Sequence, residues 1–412
     1  MFGIQRSPHQ ILFGAGQRFA LGMHTRRLGV RALVCTDARL SADPEFARLL
    51  DSLHSAGVEA TVFDETIAEL PLECILHSAE RGQASRPDVV IGIGGGSCLD
   101  IAKLTALLLS HGGRPQDYYG EHQVPGPVMP MVAMPTTAGT GSEVTPVAVM
   151  GDPARTLKVG ISSPYLIPRI AICDPELTLS CPPGLTAVSG ADALTHAIEA
   201  FTAVVKPRTA GLSHEQVFVG KNDLSDVHAR VAIAAIAGHL RTAVTDGTNL
   251  VAREQMMLGA LEAGLAFGAA GTAAAHAVQY PVGAFTGTAH GLGVAAMLPY
   301  VMAFNRPVCT REFAEVARLM GVAGQLALDE LADAAIEAVA TLLASVGIPR
   351  TLAELDLPEA QLPWVAEQAL SIGRLVKNNP RPLDEQSMAR LVRAAFDGDR
   401  SALSSDVMTG RA

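Results

Sequence analysis

The chain has 412 residues, a formal net charge of −10, 49% hydrophobic residues and only 17% charged residues. Intrinsic disorder is excluded, because a chain so apolar and so weakly charged can bury enough surface to fold. The 39 glycines and 25 prolines are scattered without a period, which excludes collagen-like and low-complexity architectures. At roughly 100–200 residues per domain, the length predicts two or three domains.

The acidic balance and the N-terminal segment restrict the expected partners and compartment. A negative chain without a basic block does not suit non-specific binding to nucleic acid. The N-terminus lacks the apolar core of a signal peptide, and apolar runs such as Val294–Pro299 are far shorter than the ~20 residues of a bilayer span. The six cysteines include no CxxC pair and are interpreted as reduced thiols. We therefore expect a soluble, cytoplasmic protein that binds neither nucleic acid nor a membrane.

The first 182 residues alternate short apolar runs with segments of helical period. The predicted strands are Arg31–Thr36, Ala60–Phe63, Asp88–Ile93, Met131–Met134 and Ile170–Asp174. The predicted helices between them are Asp43–Ala56, Leu70–Ser85 and Leu99–Leu109. Strands rich in Val and Ile that alternate with helices predict βαβ units and a parallel sheet. Residues 1–182 are therefore predicted to form an α/β domain with a Rossmann-like sheet.

After residue 182 the chain is dominated by Ala- and Leu-rich segments of helical period. Helices are predicted at roughly 187–203, 226–243, 251–270, 272–280, 291–304, 311–320, 328–346, 359–371 and 384–396. The polar segment Val205–Ser225 is predicted to be a loop. Residues 183–412 are therefore predicted to form an all-helical domain, with the domain boundary near Leu179–Gly184.

A glycine-rich turn, Gly94–Ser97 (GGGS), joins the predicted strand Asp88–Ile93 to a predicted helix. Glycines let the backbone approach a phosphate closely, and a helix N-terminus offers free N–H groups. The spacing differs from the GxGxxG of a Rossmann fingerprint, and a simple tight turn is the alternative. Asp100 and Lys103 follow on the same helix, where an ordinary i,i+3 surface pair is the competing interpretation.

A second cluster of small polar residues, Pro135–Thr145 (PTTAGTGSEVT), follows the predicted strand Met131–Met134. Two such loops at strand carboxyl ends form a crevice where open α/β sheets bind ligands, although one cluster alone is equally consistent with an ordinary loop. Asp37 ends the first predicted strand, where a carboxylate can accept hydrogen bonds from ribose hydroxyls and repel a 2′-phosphate. A turn or N-cap aspartate is the alternative there.

Four residues of the second half have the types and spacing of a divalent metal site. Asp192 and His196 are four apart and share one face of a predicted helix, although a solvated Asp/His pair has the same spacing. His276 lies in an Ala-rich helix, where a core histidine is the alternative, and His290 precedes the next predicted helix. Three imidazoles and one carboxylate suit ferrous iron or zinc and leave room for a substrate oxygen.

The two later histidines require a turn between them. One straight helix would separate His276 from His290 by about 21 Å. Pro281 is predicted to end the first helix, because proline lacks the N–H donor and clashes with the preceding turn. Pro281 and Gly283 are thus expected to turn the chain, and Gly291 to allow close backbone approach.

Five motifs, in this order along the chain, resemble those of the iron-containing (group III) alcohol dehydrogenases. They are GGGSxxDxxK at Gly94–Lys103, PTTAGTGSEVT at Pro135–Thr145, DALTHAIEA at Asp192–Ala200, the HA…HG pair at His276 and His290, and NNPRPL at Asn378–Leu383. The resemblance covers nearly the whole chain. It implies an N-terminal dinucleotide-binding domain, a helical C-terminal domain, a cleft between them, and assembly as a homodimer or larger homo-oligomer.

The resemblance also implies site residues. The positions that match the family's metal ligands are Asp192, His196, His276 and His290. The positions that match its cofactor contacts are Asp37, Gly95, Gly96, Ser97, Asp100, Thr136, Thr137, Thr140 and Lys158. Members with an acid at the position of Asp37 usually prefer NAD over NADP. NAD together with Fe²⁺, or with Zn²⁺, is therefore the expected cofactor set.

The sequence departs from the family pattern on the substrate side. Many members carry a histidine near the substrate, four residues after the position of His276. This chain has Tyr280 at that position. The hydroxyl of Tyr280 either relays a proton or fills space. The loop containing Phe218–Asn222 looks longer than the usual connection. Arg374 and Lys377 fall near the closed end of the family pocket, where two cations suggest a substrate with an acidic group, unless both are ordinary surface cations.

The resemblance implies reversible hydride transfer between NAD(H) and a small alcohol or aldehyde, with the metal as Lewis acid. The catalytic residues that it implies are Tyr280 and the four metal ligands. Three alternatives are weighed against this activity. A maleylacetate reductase-like enzyme has different glycine and threonine loops. A non-redox lyase of the dehydroquinate synthase type fits DALTHAIEA and NNPRPL poorly. A catalytically silent cofactor-binding protein is disfavoured because all four candidate ligands are present.

Overall fold

The computed structural model describes residues 1–155 and 157–404. The strands are β1 (Gln10–Phe13), β2 (Arg31–Cys35), β3 (Glu59–Phe63), β4 (Val89–Gly94), β5 (Gly120–Glu121), β6 (Met131–Pro135), β7 (Val147–Met150), β8 (Val159–Ser162) and β9 (Ile170–Cys173). The helices of the first half are α1 (Leu21–Arg26), α2 (Ala38–Ser41), α3 (Pro44–Ser55), α4 (Leu72–Ser85) and α5 (Gly96–His111).

Six of the strands form a parallel sheet in the order β1-β9-β6-β4-β2-β3, which confirms the predicted α/β fold. Every side chain of β4 is buried, as expected for a central strand covered by helices on both faces. Each of the five predicted strands is present. The edge strand β1 was not predicted, because its side chains are mostly exposed and form no buried apolar run.

A second, three-stranded sheet in the order β5-β8-β7 was also missed. Strand β5 has two residues, too few to show a periodic pattern. Strand β7 begins two residues after the threonine-rich loop and pairs with β8 in antiparallel register from Val147 opposite Ser162 to Met150 opposite Val159. The small sheet contacts the second half of the chain at β5, where Glu121 Oε2 accepts from Val217 N at 2.8 Å.

The second half is helical, as predicted. Its helices are α6 (Pro183–Thr202), α7 (Leu212–Glu215), α8 (Asp223–Thr245), α9 (Leu250–Ala270), α10 (Ala274–Thr286), α11 (His290–Asn305), α12 (Thr310–Leu319), α13 (Leu328–Ser345), α14 (Leu362–Ser371), α15 (Gly373–Asn378), α16 (Glu385–Asp397) and α17 (Ser401–Ser404). Their shared core is rich in alanine, which allows close helix packing in a chain with only 4% aromatic residues.

Two predictions about this half were wrong. Pro281 lies inside α10 and does not end it, because the helix is held by burial of Pro281 and Val282 despite the missing donor. The helix instead ends at Gly287, whose φ of 72° gives a left-handed C-cap. The predicted loop Val205–Ser225 contains the short helix α7 and the first turn of α8, which Asn222 caps at its N-terminus.

Among residues 1–155 and 157–404, no single helix is both long and apolar enough to cross a membrane. The bent pair α9 and α10, with 102° between its two parts, meets the criteria of length and composition together.

Candidate functional site

Residues from both halves of the chain line one cavity of about 180 Å³. Ten of the predicted site residues are among its lining: Gly96, Ser97, Asp100, Thr140, Lys158, Asp192, His196, His276, Tyr280 and His290. The glycine turn and the threonine-rich loop form the wall contributed by the first half. The candidate metal ligands form the opposite wall. The structure thus places the two predicted halves of the site against each other.

The four candidate metal ligands converge on one carboxylate. One ligand atom each of Asp192, His276 and His290 lies within 4.8 Å of the others. His196 Nε2 lies 3.7 Å from Asp192 Oδ1, and His276 Nε2 lies 3.8 Å from the same oxygen. Helix α6 supplies the i,i+4 pair, while His276 and His290 lie in the first turns of α10 and α11. The predicted convergence is therefore present in the fold.

Three polar atoms of this cluster, Asp192 Oδ1, His196 Nδ1 and His276 Nε2, are buried without a hydrogen bond to any described residue. Two of them, Asp192 Oδ1 and His276 Nε2, face each other at 3.8 Å. A buried polar atom without a hydrogen bond costs about 1–3 kcal/mol of folding free energy, so such atoms need a physical explanation. A divalent cation would accept lone pairs from both atoms. The donor set of imidazole nitrogens and a carboxylate oxygen fits iron or zinc.

Burial shifts the pKa values of three candidate ligands, and only the histidine shifts favour the metal-binding form. It raises the pKa of Asp192 to about 7, because the charged carboxylate is desolvated. It lowers the pKa of His196 and of His290 well below the ordinary histidine value, which keeps both imidazoles neutral. Neutral imidazole is the form that ligates a metal, and a bound cation would favour the ionised form of Asp192.

Glu199 is a site residue that the sequence analysis missed. Its carboxylate accepts hydrogen bonds from His276 Nδ1 at 2.6 Å, Ala273 N at 2.8 Å and Ala275 N at 2.7 Å. The two backbone bonds cap the N-terminus of α10, which has no side-chain cap of its own. The bond to Nδ1 fixes the imidazole tautomer and leaves Nε2 free for a metal. The sequence contained one signal for Glu199: it lies seven residues, or two turns of α6, after Asp192 and therefore on the same face of the helix.

Glycines set the approach of the helices that carry the histidines. Gly271, with φ of 83°, lies at the bend between α9 and α10. The turn between His276 and His290 is made at Gly287 rather than at Pro281 or Gly283, which corrects the predicted position. A Cβ on Gly291 would lie 2.7 Å from Val188 O and 2.9 Å from Asp192 Cβ, so the predicted close approach there is real.

The glycine turn and the threonine-rich loop lie in direct contact. Helix α5 starts at Gly96 with Gly95 as its N-cap. A Cβ on Gly96 would lie 2.7 Å from Thr140 Cγ2, and one on Gly95 would lie 3.6 Å from Thr137 Cγ2. Thr136 N donates to Gly94 O at 3.0 Å. The backbone of the turn is therefore close to the loop hydroxyls at a helix N-terminus, an arrangement suited to phosphate.

Asp100 and Lys103 do not form an exposed surface pair, so that interpretation was wrong. Asp100 accepts from Ser142 Oγ at 2.6 Å and from Val149 N at 2.9 Å. Lys103 is fully buried, and its ammonium donates to Thr145 O at 2.9 Å and to Val147 O at 2.8 Å. Both side chains thus fix the threonine-rich loop and the start of β7, which form a wall of the cavity.

Asp37 and Thr136 lie toward the other end of the crevice. Asp37 is the N-cap of α2, where its Oδ1 accepts from Leu40 N at 2.9 Å, so the N-cap interpretation is correct for this oxygen. Its Oδ2 lies 3.8 Å from Cys98 Sγ, beside the start of α5. Thr136 and Leu40 line a separate cavity of about 290 Å³. This cavity adjoins the glycine turn through Ile93, which precedes Gly94, and through Thr136, which is hydrogen-bonded to Gly94.

Lys158 and Tyr280 line both the 180 Å³ cavity and a neighbouring cavity of about 370 Å³. Burial lowers the pKa of Lys158 to about 8, and its ammonium pairs with Glu69. Burial raises the pKa of the Tyr280 hydroxyl. Of the two cations near the closed end, Arg374 lines the 180 Å³ cavity, whereas Lys377 is exposed and does not. Only one of the two is positioned to meet a ligand.

Comparisons with known proteins agree with this geometry. Residues 8–175 match the family model described as iron-containing alcohol dehydrogenase, and residues 186–396 match that of the C-terminal part of the same family. Long-chain-alcohol dehydrogenase 1 of Geobacillus thermodenitrificans is 36% identical, covering 93% of this chain and 94% of that one.

Solved structures give the same result. A 1,3-propanediol oxidoreductase has a TM-score of 0.89 at 33% identity, with 96% of this chain and 100% of that chain covered. The sulfoacetaldehyde reductase of Bifidobacterium kashiwanohense in complex with NAD⁺ has a TM-score of 0.82 at 28% identity, with 98% and 100% covered. The similarity therefore spans both halves of the chain.

Proposed function

The chain belongs to the iron-containing alcohol dehydrogenase family, and from this premise we propose that it interconverts a small primary alcohol and its aldehyde with NAD(H). In the reductive direction, NADH gives a hydride to the carbonyl carbon and a proton from solvent goes to the oxygen, which yields the alcohol and NAD⁺. The observation that carries the proposal is the single cavity in which the candidate metal ligands face the glycine turn.

We propose that Asp192, His196, His276 and His290 hold the family's divalent iron. The metal, when bound, supplies Lewis acidity that favours the oxygen-centred charge of the alkoxide. The protein contributes a fixed set of ligands, because Glu199 orients His276 and Phe267 stacks on the ring of His196 at 4.2 Å between centroids. Burial of the cluster excludes bulk water from the place where charge develops.

The proposed cofactor path runs along the crevice. Gly95, Gly96, Ser97 and the hydroxyls of Thr137 and Thr140 are proposed to bind the pyrophosphate. Because Gly96 and Ser97 also line the metal cavity, the nicotinamide end of the cofactor would lie beside the metal ligands. The adenosine end would then occupy the 290 Å³ cavity at Thr136.

Three cofactor or catalytic contacts are proposed for other candidate residues. The carboxylate of Asp37 favours NAD over NADP by repelling a 2′-phosphate. Lys158 contacts the nicotinamide side of the cofactor, since it lines the metal cavity. Tyr280 lies between the two adjoining cavities and contacts the reacting part of the substrate or cofactor, where its hydroxyl can exchange a proton with solvent.

We further propose that residues 1–182 and 183–412 are two domains and that the chain forms a homodimer or larger homo-oligomer. The uninterrupted helical character from α6 onward, which begins at Pro183, supports the division. A small-molecule alcohol or aldehyde is the proposed partner. The relatives named above are described as acting on long-chain alcohols, 1,3-propanediol and sulfoacetaldehyde, so family membership leaves the substrate open.

His276→Ala tests the metal-dependent function. We expect the variant to lose bound metal and nearly all NADH-dependent aldehyde reduction, while it still binds NADH by fluorescence titration. His239→Ala is the matched control, because that half-buried histidine bonds to Ala235 O of its own helix at 3.0 Å and is not among the residues that line the metal cavity. Full turnover by metal-free His276→Ala would refute the metal-dependent function, and an equal loss in the control would show that the effect is not specific to the metal site.

A further inference from the structure

We propose that Arg374 binds an anionic group on the substrate, so that the preferred substrates are short aldehydes, or the corresponding alcohols, that carry a sulfonate, phosphonate or carboxylate. This inference rests on the proposed function and assigns the substrate class of the same site. It makes Arg374 a specificity-determining residue, with no part in hydride transfer itself.

Arg374 lines the cavity proposed for the reaction, and among the described residues its guanidinium forms no ion pair. Arg374 lies on α15 and lines the same 180 Å³ cavity as Asp192 and His290. Within residues 1–155 and 157–404, no carboxylate lies within 4.0 Å of it. Two other acids of the cavity have partners, since Glu69 pairs with Lys158 and Asp100 accepts two hydrogen bonds. A cation left unpaired in a cleft attracts an anionic ligand.

The orientation of Arg374 is fixed from two sides. Its guanidinium carbon lies 4.6 Å above the ring centroid of Phe218, within the range of a cation–π contact. Phe218 is held in place because Lys206 Nζ donates to its carbonyl oxygen at 2.6 Å. Helix α15 is anchored by Asn378, whose Nδ2 donates to Ala270 O at 3.0 Å. The guanidinium is therefore preorganised, which reduces the entropy lost when it binds a ligand.

Arg374 is a cation on the second-half wall of the cavity, whose lining also includes apolar and hydroxyl-bearing side chains. Val147, Val149 and Phe267 contribute apolar surface, and Ser97, Thr140, Ser142, Thr145, Thr272 and Tyr280 contribute hydroxyls. The planar fork of an arginine pairs bidentately with two oxygens of a carboxylate, sulfonate or phosphonate. The volume of about 180 Å³ lies below the 300–1,000 Å³ usual for drug-sized ligands, which restricts the substrate to a short chain.

The competing role for this cation is a contact with the cofactor. Gly96 and Ser97 line the same cavity, so a phosphate bound at the glycine turn is the other anion within the site. A cofactor contact would affect every aldehyde equally and would raise the KM for NADH. A substrate contact would affect only anionic aldehydes and would leave the KM for NADH unchanged.

The experiment compares two aldehydes of similar shape, sulfoacetaldehyde and the neutral 3,3-dimethylbutanal, with metal-loaded enzyme and saturating NADH. We expect the wild type to prefer sulfoacetaldehyde in kcat/KM. Arg374→Gln should lower the ratio of the two kcat/KM values by roughly 10- to 150-fold, the range for loss of a hydrogen bond to a charged group. Arg374→Lys should retain part of the preference. Lys377→Gln, three residues away and exposed, is the control for long-range charge and should keep the wild-type ratio.

Each result supports or overturns a distinct claim. A wild type that reduces 3,3-dimethylbutanal as well as or better than sulfoacetaldehyde would overturn the anion inference and leave the proposed function intact. The inference would also be overturned if Arg374→Gln kept the wild-type ratio of kcat/KM values. The same holds if its KM for NADH rose and its kcat/KM fell equally for both aldehydes. The proposed function itself would be overturned if the wild-type enzyme contained metal and bound NADH but reduced neither of these aldehydes nor any other simple aldehyde. Competitive inhibition by ethanesulfonate, expected for wild type and lost in Arg374→Gln, checks the contact independently of turnover.

Discussion

Replacing Glu199 with glutamine perturbs the metal site while every candidate ligand residue is kept. Oε2 of Glu199 accepts from both Ala273 N and His276 Nδ1, whereas Oε1 accepts from Ala275 N alone. A glutamine whose carbonyl oxygen takes the place of Oε2 can keep the first two bonds as neutral ones. Its NH₂ group then faces the N–H of Ala275, which is left without an acceptor.

The expected magnitude follows from this inventory. One orphaned buried donor and the loss of charge assistance should lower the free energy of unfolding by about 1–3 kcal/mol. Weakening the bond to Nδ1 releases the orientation of His276 and reduces its basicity at Nε2. Outer partners of this kind change metal affinity by about 10- to 100-fold. We therefore expect the metal Kd of Glu199→Gln to rise by that factor.

The assay is metal transfer to a chelator of known affinity, with urea unfolding of the metal-free protein measured in parallel. Glu262→Gln is the matched control. Glu262 Oε2 also accepts from a histidine, His228 Nδ1, at the same 2.6 Å, but neither residue lines the metal cavity. The control should lose stability without a change in metal Kd.

Two results would refute the reasoning. A metal Kd for Glu199→Gln within about 3-fold of wild type would mean that the carboxylate only caps α10. Equal increases in Kd for Glu199→Gln and Glu262→Gln would mean that the effect is a general loosening of the helical half. Separation of the metal effect from the stability effect is thus the decisive observation.

Three further outcomes are expected. Burial raises the pKa of Glu143 to about 7, so the folded state binds more protons than the unfolded state, and Glu143 should lower the free energy of unfolding by up to about 3 kcal/mol between pH 4.5 and 7. Urea titrations of Glu143→Gln across this range should show a smaller decline than wild type, with the contribution of Asp192 retained. Gly141→Ala places a Cβ 2.5 Å from Gly264 Cα in a left-handed backbone conformation and should cost about 2–4 kcal/mol. Gly16→Ala, also left-handed but with nothing within 4 Å, should cost only the backbone part of about 1 kcal/mol, and equal losses would exclude the steric contribution. Asp37→Ser should raise kcat/KM with NADPH relative to NADH by at least about 10-fold, and an unchanged ratio would remove Asp37 from cofactor selection.

The metal side of the site was accessible to sequence analysis because its information is local. Asp192 and His196 lie at i,i+4 on one helix, a spacing that fixes a shared face without reference to the rest of the fold. The convergence of His276 and His290 could be expected, although its turn was misplaced. Proline signals the end of a helix only when burial does not hold the helix together, and α10 continues through Pro281 to Gly287.

The fold class was predictable for the same reason, and two of the missing strands, β1 and β5, lack the pattern on which the prediction depends. Strands of the central sheet are buried on both faces and therefore carry continuous Val and Ile runs. Strand β1 lies at the edge with its side chains mostly exposed, and β5 has two residues, so neither produces an apolar pattern. A run of apolar residues in the sequence indicates that a segment is buried, and it does not by itself indicate strand geometry.

The substrate side depends on long-range packing that no local spacing encodes. Phe218 reaches the cavity because the chain between α6 and α8 folds back, with Val219 N donating to Ala269 O at 2.8 Å and Lys221 N to Val204 O at 3.0 Å. Only this return places an aromatic face beneath Arg374, some 150 residues later in the sequence. In the sequence Arg374 and Lys377 are equivalent cations on one short helix, yet one lines the cavity and the other is exposed. Substrate specificity in this chain should therefore change with substitutions in the loop that carries Phe218, because they would release Arg374 while leaving the metal ligands in place.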